Sequence, residues 1–445
     1  MRDRLPGGFR KSTIAERRRM VASTNPNVDE VAFGRDEEMI ELADVMVESS
    51  IGYLALPIGI ATGFVIDGEP FDVPLATEEP SVIAAATYAT RIISRGGGFK
   101  TTAGETVTTG QIYVEHAAPN ADRRIAAVEE KLRLTAAPLL ATMEKRGGGW
   151  RGLRVDRLPQ SGLLRLEVDI DTRDAMGANL VNSVVESLRA DVEAISEGRI
   201  VMAILSNAGA RRVWRAGFAV PASLLARAGT PGPEVARRIV LANDIATEDP
   251  ARAVTHNKGI MNGMTALALA TGNDARALEA AAHAYASRDG SYRALTRYRL
   301  EERSESIGRL RGELEMPVPL GTVGGATGIH PTARASLALL GNPGAAALAG
   351  IAVCVGLAQN LAALTALVTE GIQRGHMGLH AERVAWVAGA RGEERRLVAA
   401  VMRARGEYGA DGAKRALAEV RSQGCGRTGT LADAPHDGDD AGEPL

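Results

Sequence analysis

One run constrains this 445-residue chain more than any other: Gly344 to Ala358 (GAAALAGIAVCVGLA), the most apolar stretch it contains. It is rich in small residues and stops at Gln359 and Asn360. A membrane span needs roughly 18 to 20 such residues, so the run is too short for one and is expected as a buried core helix, with no membrane association. The remainder of the chain must then cover it. The composition allows this, with 45% hydrophobic and only 4% aromatic residues in a chain long enough to bury a large core without disulfides or a structural metal. Cys354 and Cys425 are far apart and sit in no metal-spaced pair, so no disulfide framework or thiolate zinc site is expected, and a reducing cytoplasm is the expected location. The N-terminus, MRDRLPGGFRK, lacks the apolar stretch of a signal peptide. With 52 basic against 54 acidic residues and a pI near 6.4, the chain lacks the electrostatic footprint of a nucleic-acid binder. The basic cluster Arg10, Lys11, Arg17, Arg18 and Arg19 reads as a solvated helix face.

Along the chain, residues 35–50 carry apolar positions at helical spacing. Residues 51–76, with β-branched content and the Asp67-Gly68 turn, predict paired strands. Pro80 suits the first position of the helix that follows, because its missing N–H would have no partner there. From about residue 104 a new compact unit begins. TVTTGQIYVEH predicts a strand, 120–146 a helical passage, and SGLLRLEVDID a half-buried strand with Leu164, Leu166, Val168 and Ile170 on one face. That strand runs through a glycine turn, DAMGAN at 174–179, into a helix. From about 212 to 372 the chain reads as Ala/Leu-rich helix broken by glycine loops at THNKGIMNG, ATGND and PLGTVGGATG, with the reactive side chains on the loops. Beyond 426 it is acidic and poor in apolar residues, the composition of a disordered tail.

Several side chains carry two readings. The chain has six lysines against 46 arginines, so Lys258 in THNKGIMNG stands out from the usual surface cation. Its compact ammonium suits an oxyanion, although a plain surface role is open. Glu78 and Glu79 before Pro80 can simply meet the helix dipole. For Glu79 to act as an acid, burial or a neighbouring carboxylate would have to offset that dipole. Asp274 in ATGND can be that carboxylate, or a turn or N-cap residue. His376 and His380 stand at i and i+4, but with no H-E-x-x-H glutamate and no third ligand a metal site is not expected. A histidine there suits general acid work, since its ordinary pKa lies near neutrality. DAMGAN is not G-x-G-x-x-G, yet a glycine turn between strand and helix exposes amides able to hold a pyrophosphate.

Taken together, these segments resemble the class II (bacterial and archaeal) 3-hydroxy-3-methylglutaryl-coenzyme A reductases. The resemblance covers about residues 1–425 and rests on ESSIGYLALPIGIATGF, ATEEPSVIAAATYA, DTRDAMGANLVN, ILSN, THNKGIMNG, ATGND, HAYA, GTVGGATG, GLAQNLAAL and TEGIQRGHMGLHA, all in family order. It implies Glu79, Lys258, Asp274 and His376 as the catalytic set. Ser81, Arg252 and Asn262 match positions around the acyl substrate, and Asp174, Met176, Gly177 and Asn179 match the nicotinamide-nucleotide motif. Arg10 matches an arginine that meets the coenzyme A end, with an extra glycine here in RLPGGFR. The implied reaction is four-electron interconversion of HMG-CoA and mevalonate plus CoA, using two NAD(P)H. Around residues 133–146 no carboxylate for a ribose hydroxyl precedes Glu144, and Lys145 and Arg146 follow it, which leans toward NADPH over NADH. The implied fold is α+β: a large α-rich domain (1–103 and 212–370), an inserted small α+β domain (104–211), ferredoxin-like and not Rossmann, that binds the nucleotide, and a C-terminal helical flap (371–425). A homodimer with shared active sites is also implied. A reductase of a different acyl-CoA and a catalytically silent scaffold are the competing readings. ESSIG and GGATGIHP depart from the usual family text at positions outside the catalytic four.

Overall fold

A computed structural model describes residues 9–24, 34–303, 306–371 and 381–424. Helices α1 (Ile14–Thr24) and α2 (Glu37–Met46) come first. Arg17, expected on a solvated face, is instead buried: its Nε donates to the Ser50 carbonyl at 2.7 Å and its guanidinium pairs with Asp44 of α2. A guanidinium can leave water when its donors all meet acceptors, and here that pins α1 to α2.

Strands β1 (Ile58–Ile66) and β2 (Glu69–Ala76) form an antiparallel hairpin around Asp67 and Gly68, both at positive φ. Helix α3 (Val82–Arg95) starts later than the proline signal suggests. Ser81 is its N-cap in the left-handed region (φ 74°), and Pro80 lies in the turn before it. Strand β3 (Lys100–Thr102) leads into a separate sheet.

The strands and helices of that unit run β4 (Val107–Glu115), α4 (Ala121–Ala126), α5 (Glu129–Glu144), β5 (Gly149–Arg157), β6 (Leu164–Asp171), α6 (Ala178–Ser187), α7 (Arg189–Ser196) and β7 (Arg199–Leu205). Its sheet is antiparallel, in the order β5-β6-β4-β7. Leu164, Leu166, Val168 and Ile170 are all fully buried, as their alternation requires, in a core shared with Leu140 of α5 and Val184 of α6. This core, spanning residues 112–200, is separate from the larger one.

The chain then continues through β8 (Val213–Pro221), α8 (Gly232–Glu248), α9 (Pro250–Ala270), α10 (Ala275–Ala286), β9 (Thr296–Arg303), β10 (Ser306–Pro317), α11 (Gly325–Ile329), α12 (Pro331–Leu339) and α13 (Ala345–Val368). The structure departs from expectation twice here. The region is mostly helix, as its composition predicts, but it is not helix and loop alone, since β3, β8, β10 and β9 form a four-stranded sheet in that order. The missed signal is period-2 alternation: Leu310, Leu314 and Met316 face the core, with Arg311, Glu313 and Glu315 between them. Nor is THNKGIMNG a loop, because it lies inside α9. Packing overrides the weak helix propensity of its glycines and asparagines. Helices over 381–387 (α14), α15 (Glu393–Arg405) and α16 (Ala410–Gly424) share a third, small core around Ala385, Val398 and Met402.

Helix α13 is the axis of the larger core. Among the described residues it is the one helix long and apolar enough to cross a membrane, and 78% of its apolar window is buried inside the protein. Its Cys354 is fully buried, which pushes the thiol pKa well up. Glycines set its approach to α9. A Cβ on Gly356 would fall 2.9 Å from Ile260 Cγ2 and 2.7 Å from Met264 Sδ, and one on Gly263 would fall 2.8 Å from Val355 Cγ1. A buried polar chain ties the same helices to β9. His256 Nε2 of α9 lies 2.6 Å from Thr296 Oγ1 and 3.0 Å from Asn360 Nδ2 of α13. Thr296 donates to Asn243 Oδ1 at 2.8 Å, and Tyr298 to Asn360 Oδ1 at 3.0 Å. Burial, reinforced by Arg252, pushes the His256 pKa down to about 3.

Gly356→Val is therefore expected to destabilise by about 1 to 3 kcal/mol through overpacking, seen as a lower urea midpoint at unchanged slope. The imidazole predicts a pH dependence as well. Its folded pKa of about 3 lies below its ordinary 6.5, so the unfolded chain binds the extra proton between those limits. Stability from this group is whole above pH 6.5 and falls toward pH 3, by up to about 1.4 kcal/mol per pH unit. Urea titrations of the wild type and His256→Asn at stepped pH should show that slope reduced in the variant.

Candidate active site

Three helices and one turn enclose a cavity of about 290 Å³. Helix α3 contributes Val82, Ala85 and Tyr88. Helix α9 contributes Arg252, His256, Gly259 and Asn262, spaced three or four residues apart and so on one face. Helix α13 contributes Gln359, Ala363 and Leu367 along its later turns. The turn before α3 adds Glu79 and Ser81. Five residues singled out by sequence, Glu79, Ser81, Arg252, Lys258 and Asn262, thus line one space.

Within it the Lys258 ammonium donates to Glu79 Oε2 at 3.1 Å, across 179 positions of sequence. The two side chains remain 61% and 37% exposed, and pairs that wet typically contribute only about 0.2 to 1 kcal/mol to a fold. The pair is thus a poor stability device. Its value lies in placing a cation and a carboxyl side by side on the cavity wall, where a bound molecule would exclude water and strengthen both.

Asp274 is not part of this wall. It is the N-cap of α10, accepting from the amides of Arg276 at 2.9 Å and Ala277 at 3.1 Å, with the Arg276 guanidinium 3.1 Å away. Its capping reading is therefore realised. His376, and His380 with it, lie outside the described residues. Arg10 falls in a short 3-10 turn, Phe9–Lys11. No group of three or more potential metal-ligating side chains gathers among the described residues.

The DAMGAN segment joins β6 to α6. Gly177 is the N-cap of α6 with φ 90°, and a Cβ there would fall 2.3 Å from Thr172 Cγ2, so only glycine fits. Asn179 stands in the first turn of α6. Asp174 and Met176 hold the loop in place. Asp174 Oδ1 accepts from the Ala345 amide at 2.9 Å, the start of α13, and the Met176 carbonyl accepts from Thr108 Oγ1 at 3.1 Å. Beneath them the nearly inaccessible Arg212 donates to Thr172 Oγ1 at 2.9 Å and the Ala175 carbonyl at 3.0 Å. Burial pushes its pKa down to about 10, since charge is costly there even when hydrogen-bonded.

Sequence reasoning missed Tyr88, Arg227, His256, Gln359 and Asn360 on the cavity wall. His256 lay two residues from Lys258 inside a quoted segment, yet a neutral buried histidine leaves no mark in spacing. Arg227 sits 4.4 Å above the Tyr88 ring and pairs with Glu370 at 2.7 Å, a contact between segments remote in sequence.

Comparison with known proteins places the chain in a family. Residues 13–381 match the model of the hydroxymethylglutaryl-coenzyme A reductase family. The chain is 41% identical over 435 residues to 3-hydroxy-3-methylglutaryl-coenzyme A reductase of Archaeoglobus fulgidus, covering 95% of this chain and 96% of that one. It is 36% identical over 339 residues to the probable reductase of Borreliella burgdorferi, covering 76% and 77%. In structure it resembles the Streptococcus pneumoniae reductase (TM-score 0.73, 38% identity, 93% of this chain and 99% of that). It also resembles a class II reductase from the same organism bound to NADPH in open conformations (TM-score 0.72, 39% identity, 82% and 99%). With a family model over most of its length and relatives this similar, the chain belongs to the class II hydroxymethylglutaryl-coenzyme A reductases.

Proposed function

We propose that this reductase carries out its four-electron interconversion of HMG-CoA and mevalonate at the cavity where Lys258 meets Glu79. The 3.1 Å contact between these two residues, inside a wall that also holds Ser81, Arg252 and Asn262, is the observation that carries the reading. Reducing a thioester to an alcohol passes through a hemithioacetal and an aldehyde, so negative charge builds twice on one carbonyl oxygen. Lys258 meets that charge. At about 4 Å and an effective dielectric near 20 such a contact is worth on the order of 4 kcal/mol before desolvation. Glu79 delivers the proton to the oxygen. The family resemblance calls for a second acid, Asp274, to work beside it.

Asp274 is suited to that task only if it arrives from another subunit, because within its own chain it stands at the start of α10, off the cavity wall. The reading therefore includes a homodimer with the site at the junction, as family resemblance implies. Arg252 and Asn262 hold the acyl end, Arg10 meets the coenzyme A end, and His376 protonates the departing thiolate. The larger core is the catalytic domain, the β4–β7 unit the ferredoxin-like nucleotide domain inserted in it, and residues 371–425 the flap. Work in the cytoplasm follows the same reading.

The DAMGAN loop suits a dinucleotide. Gly177 leaves no side chain at the start of α6, and a helix N-terminus stripped in this way attracts a pyrophosphate. A nicotinamide held there would supply the hydride for each reduction. Asn179 and the α6 amides hold the nucleotide, while Asp174, Met176 and Arg212 keep the loop in place. NADPH is favoured over NADH by Lys145 and Arg146 after Glu144.

Absorbance at 340 nm with HMG-CoA and each nicotinamide in turn is expected to show turnover, faster with NADPH. Lys258→Ala should lower kcat by about 10² to 10³, the usual consequence of removing one oxyanion donor. Turnover of another acyl-CoA alone would replace the substrate assignment. Subunit mixing tests the junction. Equal amounts of inactive Lys258→Ala and Asp274→Ala chains, refolded together, should regain roughly a quarter of wild-type activity, since half the dimers are hybrids and each restores one of two sites. A site built within one subunit would regain none.

A further inference from the structure

A second recess, of about 870 Å³, is larger than the cavity that holds the ion pair and shares none of its lining residues. It covers the outer face of the β3-β8-β10-β9 sheet. Six cations line it, Lys100, Arg215, Arg288, Arg297, Arg299 and Arg311, against two carboxylates, Glu313 and Glu315. The whole chain carries a formal net charge of -2, so this excess of positive charge is local.

Strand register sets the charges in rows. Lys100 stands beside Gly217, Gly217 beside Glu313, and Glu313 beside Arg297. One row along, Arg311 and Arg299 are directly opposite each other, where like charges cost stability. The acids do not cancel the excess. Glu315 is taken by Arg215 and the Tyr285 hydroxyl, Glu313 lies 3.9 Å from Arg299, and Arg311 pairs with Glu301. Lys100, Arg288 and Arg297 form no ion pair among the described residues. Packing does not demand the glycine at the centre. A Cβ on Gly217 would find its nearest neighbours at 3.6 Å, an ordinary contact, and its φ is not in the left-handed region. Glycine weakens a strand, and inside one it often marks the close approach of a ligand.

Shape and charge together select the ligand. The volume is that of a site for one small molecule, which typically has roughly 300 to 1,000 Å³. Guanidinium forks match phosphate oxygens two at a time. Neighbouring rows lie about 7 Å apart along the strands, a gap that a chain of phosphates spans and a compact anion does not. We propose that this recess is a binding site for a small molecule carrying an oligophosphate chain, separate from the reductase cavity. Lys100, Arg297 and the Arg299–Arg311 pair grip the chain, and the bare floor at Gly217 admits it. The inference does not depend on the reductase reading.

Calorimetric titration of the full chain with inorganic tripolyphosphate, NADPH and coenzyme A already saturating, is the test. Wild type is expected to show saturable one-to-one binding at about 0.15 M salt. Citrate, a compact trianion, should bind at least about tenfold more weakly. Lys100→Gln and Arg297→Gln should each weaken tripolyphosphate by about tenfold, the usual loss with one charge-assisted contact. Gly217→Val keeps every charge but fills the floor, and should weaken binding at least as much; a diffuse cationic face would not respond to it. ATP in a second titration separates the sources: tighter binding assigns a nucleotide, equal or weaker binding a free phosphate chain, and either result supports the site. Absence of wild-type binding, equal binding of citrate, or indifference to all three substitutions would overturn the proposal. Should Gly217→Val fail to fold, the two glutamine variants and the citrate ratio still decide. HMG-CoA turnover is expected unchanged in all three variants, since none of these positions lines the reductase cavity. Its loss in step with phosphate binding would overturn the claim of a separate site.

Discussion

The close approach of α9 to α13 is the constraint on which the rest of the molecule depends. Helix α13 is buried along most of its length, and Gly263 and Gly356 let α9 lie against it with no Cβ between. One face of α9 is thereby fixed relative to α13, and that face carries Arg252, His256 and Asn262 with Lys258 beside them. The Asn243–Thr296–His256–Asn360–Tyr298 chain then fixes rotation as well as distance, because each hydrogen bond is buried and directional. A cavity wall on rigid helices is held more precisely than one on loops.

Much of this was legible in the chain itself. The apolar run at 344–358 became the core helix, the Asp67-Gly68 pair a hairpin, and the alternating leucines of 164–170 a half-buried strand. Five of the substrate and catalytic candidates share a cavity. What stayed hidden has a common cause. The α9 segment looked like a loop because its glycines and asparagines are weak helix formers, and only the facing surface of α13 explains Gly263. Arg17 looked solvated because its acceptors, Ser50 and Asp44, lie some thirty positions away. The β9–β10 hairpin was missed although its leucines alternate, since the neighbouring arginines and glutamates suit a helix surface as well.

Asp274 shows the limit of reading roles from one subunit. As an N-cap it already accepts hydrogen bonds within its own chain, and capping alone would justify an aspartate there. A capping carboxylate still has lone pairs to offer, so one residue can end a helix and face a neighbouring copy.

Helix α13 has one further consequence. Its first amide is held by Asp174 of the DAMGAN loop, and just past its last turn Glu370 grips Arg227, which lies over Tyr88. Twenty-four residues of unbroken helix make a rod of about 36 Å. A rod does not absorb displacement along its length. A shift of the loop that keeps its bond to Ala345 is therefore carried along α13 toward the Glu370–Arg227 contact, so the two ends of this helix are geared to each other.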